Sequence, residues 1–258
     1  MAIKITFGIQ KGGSSKTTTA GITAWMLAQE GYRVLAVDMD SQANLTDLLT
    51  QLDIEEFEGR TVLEAIKAGN PNEYIYRATD YLHVLPSDDY LSLLARHLYT
   101  EHPNDWNMVL RRVLSHVEDD YDYVIIDTPP SLGEPVIASL CASDYVVVLC
   151  ESSKWAFTAI DRFLETVAHA QIHYNDSLKV AGVLRNLIDG RRSDSKAFAE
   201  IIGDKYSDIV FPQVVRRKAA TGRISLNGFE DNAELTAAIS EYKPFYEELM
   251  RRVGKVND

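Results

Sequence analysis

Short apolar runs of four to six residues recur along the chain with segments of helical period between them, and this alternation restricts the fold more than any other feature. The runs are Lys4–Ile9, Val34–Val37, Leu82–Leu85, Tyr123–Ile126, Tyr145–Leu149 and Val180–Leu184, with Ile209–Phe211 as a weaker seventh. Their apolar character is continuous rather than alternating, as expected of strands covered on both faces. The helical segments are Thr17–Glu30, Thr61–Ala68, Tyr90–Leu98, Asp105–Val117, Thr158–Tyr174, Ser193–Lys205 and Asn232–Val253. Strand, helix and strand in succession demand crossovers, and repeated crossovers build a parallel sheet with helices on both faces. The expectation is an α/β fold: one doubly wound, mostly parallel sheet flanked by helices. No repeat, linker or low-complexity tract interrupts the 258 residues, which read as a single domain.

The longest unbroken apolar run, Tyr145–Cys150, is far too short to span a membrane. Two cysteines cannot make a disulfide framework, and the first residues reach charge and glycine too early for a signal peptide. A cytoplasmic location is the expectation. The net charge of −12 opposes wholesale attraction to nucleic acid or an acidic membrane. Between Arg185 and Arg223, however, nine Lys and Arg face five Asp and Glu, a local +4 that leaves the remainder at −16. A polyanion should meet that stretch.

Directly after the first run comes Gly8-Ile-Gln-Lys-Gly-Gly-Ser-Ser-Lys-Thr-Thr-Thr19, which leads into a helical segment. A strand, a glycine turn and a helix N-terminus present backbone N–H groups and a positive dipole end to an anion, and phosphate is the natural occupant. The expected cradle is Gly12, Gly13, Ser14, Ser15, Lys16, Thr17 and Thr18. Its two glycines admit close backbone approach, Lys16 supplies a point charge for the terminal phosphates, and the Thr17 hydroxyl can reach Mg²⁺. The ordinary G-x-x-x-x-G-K-[ST] loop is broken, because Ser15 stands where its second glycine belongs. The string fits K-G-G-x-x-K-[ST] instead, with Lys11 opening the loop. A turn with two solvated lysines is the plainer alternative.

Two further segments weigh against that alternative. Val37-Asp-Met-Asp-Ser-Gln-Ala-Asn-Leu-Thr46 ends the second run, and Asp122-Tyr-Val-Ile-Ile-Asp-Thr-Pro-Pro-Ser-Leu-Gly133 holds the fourth. Carboxylates at strand C-termini share the sheet edge where open α/β folds bind ligands. Asp40 is placed to orient or deprotonate a water, Asp38 to hold a Mg²⁺-bound water, and Asp127 to bind Mg²⁺ through its hydration shell. As simple turn formers, Asp38 and Asp40 would do none of this.

With these motifs the chain resembles the deviant Walker A ATPases, the P-loop NTPase-like group that contains ParA-type DNA-partition ATPases and MinD. Ser41 stands where that family usually has proline. The resemblance implies ATP and Mg²⁺ as cofactors, slow ATP hydrolysis, and catalytic roles for Lys11, Lys16 and Asp40. It also implies an ATP-sandwich homodimer in which Lys11 reaches the nucleotide of the facing copy. Phe211-Pro-Gln-Val-Val-Arg-Arg-Lys-Ala-Ala220 is similar to a basic family segment, which carries nonspecific double-stranded DNA binding to Arg216, Arg217 and Lys218. Arg191, Arg192 and Lys196 are further candidates on the same +4 stretch, and a solvated basic face is the rival reading. Asn186 matches a position that contacts adenine in relatives. The short N-terminus resembles members without a helix-turn-helix domain, which rely on a ParB-type adaptor to stimulate hydrolysis and release them from nucleoid DNA.

Three rivals remain at this level. A MinD-like membrane-cycling ATPase needs a lysine-rich amphipathic C-terminus, and the apolar face of the last helix (Leu235, Ile239, Tyr242, Phe245, Tyr246, Leu249, Val253) reads better as core, so no membrane partner is expected. An iron–sulfur branch needs clustered cysteines, but Cys141 and Cys150 flank an apolar strand. A nucleotide-gated scaffold without turnover differs only in rate.

Overall fold

The computed structural model describes residues 1–11, 15–151, 156–188, 193–218, 220–221, 223–224, 228–229 and 233–254. In chain order the elements are β1 (Ile3–Gly8), α1 (Lys16–Gln29), β2 (Val34–Asp38), α2 (Asn44–Thr50), α3 (Val62–Ala68), β3 (Tyr76–Arg77) and β4 (Leu82–Leu85). They continue with α4 (Leu94–Glu101), α5 (Val109–Ser115), β5 (Tyr123–Asp127), α6 (Glu134–Ala142), β6 (Tyr145–Glu151), α7 (Ala156–His173), β7 (Lys179–Ile188), α8 (Ser193–Lys205), β8 (Val210–Arg216) and α9 (Ala233–Val253). The strands form one sheet in the order β3-β4-β2-β5-β1-β6-β7-β8, parallel throughout apart from the two-residue β3 against β4.

The continuous apolar runs are explained by two cores, one on each face of the sheet. On β5, Tyr123 and Ile125 join the core that holds α1, α7 and α9, while Val124 and Ile126 point into the core of α3, α4 and α5. On β2, Val34 and Ala36 divide from Leu35 and Val37 in the same way. Successive side chains alternate between faces, so a strand buried on both must be apolar at every position.

Two glycines shape the path around the first helix. A Cβ on Gly8 would sit 2.2 Å from Phe163 Cζ of α7, so β1 can leave the sheet here only without a side chain. Gly31, at φ +84, turns the chain after α1, with its N–H on the Ala28 carbonyl.

Several boundaries differ from the sequence expectation. The segments Tyr90–Leu98 and Asp105–Val117 each begin as a tight 3-10 turn, at Asp89–Leu93 and Trp106–Met108, before α4 and α5. The short α2 and α6 and the edge strand β3 are additional elements. The seventh run extends as β8 to Arg216, which brings the basic triplet to the strand's C-terminal end.

The order has a direct consequence for function. From β1 the chain crosses over α1 to β2, two places away, whereas β5 leads through α6 to β6 on the opposite side of β1. This is a topological switch, and the C-terminal ends of β1, β2 and β5 open onto it.

Candidate phosphate and magnesium site

The loop after β1 meets α1 at Ser15, whose φ of 56 and ψ of 36 are left-handed. That is the conformation glycine adopts without cost, and Ser15 occupies the place of the glycine missing from the ordinary loop. Its carbonyl accepts from both the N–H and the Oγ1 of Thr19. The Ser15 side chain does not cap α1, so it leaves the first-turn N–H groups to an anion. Gly12, Gly13 and Ser14 lie outside the described residues.

Lys16 is buried, and its Nζ donates to the Lys11 carbonyl at 3.2 Å. Burial lowers its pKa, opposed by the charges of Asp127 and Asp40. An ammonium held under these conditions is poised for a polyanion that restores full pairing.

Two of the three carboxylates end adjacent strands, with Asp38 of β2 in register with Asp127 of β5, and Asp40 lies two residues past Asp38. Asp38 is fully buried; its Oδ1 accepts from the Asp40 N–H at 3.1 Å, and its Oδ2 from the N–H and Oγ1 of Thr46, each at 2.9 Å. Thr46 Oγ1 also accepts from the Ser87 N–H, which ties β2, α2 and the end of β4 together. Burial pushes the Asp38 carboxyl up to about 6, although these bonds favour the charged form. Asp40 Oδ1 receives the Gln42 N–H at 3.1 Å, which forms a local turn ahead of α2. Asp127 is fully buried, and its Oδ2 accepts from Thr17 Oγ1 at 2.6 Å. Burial, with Asp38 adding repulsion, pushes the Asp127 carboxyl up to about 8 against the pull of Thr17 and Lys16.

This arrangement fits a magnesium ion. Among the described residues the buried Asp127 Oδ1 has no hydrogen-bond partner, an unsatisfied carboxyl oxygen beside a hydroxyl that can also ligate. Among the described residues no group of three or more His, Cys, Asp or Glu forms a metal cage. One carboxylate and one hydroxyl suit Mg²⁺, which keeps waters and takes further oxygens from phosphates. Thr17 and Asp127 would hold it, with Asp38 behind them.

Other expected residues are more scattered. Lys11 Nζ lies 3.3 Å from Glu151 Oε2 at the end of β6. Arg216 and Lys196 are exposed. Arg217 donates to Glu151 Oε1 at 2.5 Å, and Lys218 pairs with Glu241 of α9 at 2.8 Å. Two members of the basic triplet are thus engaged within the chain, where the sequence suggested outward charges. Arg191 and Arg192 lie outside the described residues. Asn186 is fully buried, and its Nδ2 donates to Thr19 Oγ1 at 2.9 Å. Its amide ties β7 to α1.

The rivals can be weighed in the same terms. Cys141 and Cys150 are buried on α6 and β6, and burial pushes the Cys150 thiol up to about 12, the profile of inert structural cysteines. In α9, Leu235, Tyr242, Phe245, Tyr246, Leu249 and Val253 are buried, so that face is spent on the core. No helix among the described residues is long and apolar enough to cross a membrane. Sequence reasoning missed Thr46 and Glu151; Thr46 sat inside a quoted motif, whereas nothing local marked Glu151.

Comparison with known proteins agrees with the geometry. The family model described as AAA domain, AAA_31, matches residues 2–180. Sporulation initiation inhibitor protein Soj of Bacillus subtilis is 32% identical over 85% of this chain and 86% of its own. Chromosome partitioning protein ParA of Myxococcus xanthus is 31% identical, covering 81% of this chain and 73% of its own. The crystal structure of cobyrinic acid a,c-diamide synthase from Mycobacterium smegmatis with bound ATP analog and magnesium superposes with a TM-score of 0.82 at 28% identity, covering 97% of this chain and 95% of that one. A phosphate loop, a Thr17–Asp127 pair and a matching family model converge on one assignment: the chain belongs to the AAA_31 family of AAA domains and is a ParA-type ATPase.

Proposed function

We propose that this chain is an ATP-dependent DNA-segregation ATPase in which Mg·ATP joins two copies and the pair sits on bulk DNA. The observation that carries the nucleotide part is Asp127, a buried carboxyl group with one oxygen on Thr17 and the other without a partner among the described residues. Lys16 binds the terminal phosphates, supported by its burial beside Asp127 and Asp40. The first turn of α1 receives phosphate oxygens through backbone N–H groups. Asp40, on the turn before α2, positions or deprotonates the attacking water. Bound Mg²⁺ supplies neutralisation of charge on the phosphates.

Lys11 is assigned to the triphosphate of the facing copy. Arg216, Arg217, Lys218 and Lys196 are assigned to phosphates of double-stranded DNA. A few contacts per copy bind weakly, and pairing doubles them, which makes DNA affinity depend on nucleotide. A ParB-type adaptor would stimulate hydrolysis and release the pair, and the chain would work in the cytoplasm on the nucleoid.

Co-sedimentation with random-sequence duplex and with anionic liposomes, each with and without a non-hydrolysable ATP analogue and Mg²⁺, tests the reading. Analogue-dependent retention on duplex alone is expected. Retention on liposomes instead would favour the membrane-cycling alternative, and no pairing with analogue would remove the sandwich assignment.

A further inference from the structure

At the C-terminal end of β6 one carboxylate serves two cations that the functional assignment treats separately. Glu151 Oε2 lies 3.3 Å from Lys11 Nζ, and Glu151 Oε1 accepts from Arg217 Nη2 at 2.5 Å. Lys11 belongs to the loop after β1, and Arg217 directly follows β8. β6 lies beside β1, and only β7 separates it from β8, so the sheet order brings the two cations to one rim. The side chains of Glu151 and Lys11 are 24% and 28% exposed, which screens their attraction less than at an open surface. Both carboxylate oxygens are in use.

We propose that Glu151 positions Lys11 in competition with Arg217, and thereby couples the nucleotide loop to the basic edge of β8. The proposal rests on the reading above, which sends Lys11 to a triphosphate and Arg217 to a polyanion. One negative charge shared by two cations attracts each less strongly than it would attract one alone. Transfer of Arg217 to a DNA phosphate leaves Glu151 to Lys11, which is then held back more firmly. Transfer of Lys11 to a triphosphate tightens the hold on Arg217. Linkage requires the antagonism to be equal in both directions. Lys218 does not take part, since its ammonium is on Glu241 of α9. Glu151 therefore limits how far one copy can commit both cations at once, and Arg216, exposed one residue earlier, is left as the contact that this competition does not govern.

The test uses the full chain and the variants Glu151→Gln, Lys11→Ala, Arg217→Ala, Lys11→Ala/Glu151→Gln and Arg217→Ala/Glu151→Gln, with circular dichroism to verify folding and Glu151→Asp as a second variant. Analogue-driven pairing is followed by sedimentation, and random-duplex binding is followed as salt is varied. Glu151→Gln should bind duplex several-fold more tightly, with a log–log salt slope steeper by about 0.9, the value of one added phosphate contact. Arg217→Ala should weaken pairing several-fold in the wild-type background and have no effect beside Glu151→Gln. Without nucleotide, where pairing does not contribute, Lys11→Ala should weaken duplex binding only while Glu151 is present. Additive effects in every titration that gives a signal would overturn the coupling. Absence of duplex binding in all variants, with pairing still non-additive, would remove the DNA assignment and uphold the Glu151 link. A chain that neither pairs nor binds duplex would overturn both.

Discussion

Thr17 and Asp127 stand 110 residues apart in the chain, yet the Thr17 hydroxyl donates to Asp127 Oδ2 at 2.6 Å. The bond joins the first turn of α1 to the end of β5, the strand that pairs with β1. It also aligns the two groups best suited to share a divalent ion, and the other Asp127 oxygen is buried with no partner among the described residues.

Asp127→Asn should therefore separate folding from function. Removing a buried carboxyl whose pKa is pushed up to about 8 should leave stability unchanged or raise it by ~1–3 kcal/mol at pH 8. Mg²⁺-dependent affinity for an ATP analogue should fall by at least tenfold. Thermal unfolding and analogue titration measure the two effects, and a destabilised variant with normal affinity would contradict this account of the site.

Asp40→Ala is expected to spare the fold, because among the described residues the one hydrogen bond its carboxylate accepts is that of the local Gln42 turn. Analogue binding and pairing should persist, while turnover drops by about 10²–10⁴-fold, the range for loss of a positioned general base. A phosphate-release assay decides the matter; wild-type turnover would end the water-positioning assignment.

Thr46→Val should be costly although Thr46 touches no phosphate. Its hydroxyl donates to Asp38 Oδ2 and accepts from the Ser87 N–H, and all three groups are buried. Loss of both bonds inside the sheet edge predicts a destabilisation of about 2–3 kcal/mol by denaturant unfolding. Thr46→Ser, which retains the hydroxyl, should recover most of it.

Stability should also depend on pH in a defined direction. Asp38 and Asp127 have folded values raised to about 6 and about 8, above the ordinary 3.8 of an unfolded chain. The folded state thus holds protons more tightly, so the stability they contribute is fully present below about pH 4 and is lost as the pH rises through 6 and then 8. Glu64 and Asp161, whose values are lowered, lose their contribution only below their ordinary range. Urea unfolding at pH 5.5, 7 and 8.5 should show decreasing stability, and Asp127→Asn should flatten the upper step. An unchanged midpoint across this window would contradict the burial of these carboxyls.

Much of the fold was legible because parallel strands covered on both faces must be apolar along their length, as β2, β5 and β6 are up to the carboxylate that ends each one. The three site segments were legible because each sits at the C-terminal end of a strand. Elements held by tertiary contacts were not: α2, seven residues long, is fastened by the Asp38–Thr46 bonds, and β3 has only two residues of ladder. Nor could spacing reveal that Asn186 turns inward to Thr19, or that Glu151 meets Arg217 across 66 residues. Such pairings depend on sheet order, which local pattern does not encode.

The buried carboxylates at the ends of β2 and β5 make this chain an unequal bargain for its host. Groups that repel one another in a dry pocket weaken the empty protein, and a ligand that neutralises them protects it in proportion to its own concentration. Nucleotide and Mg²⁺ at this pocket would therefore act as structural ballast, and their concentration would set how firmly the chain resists unfolding.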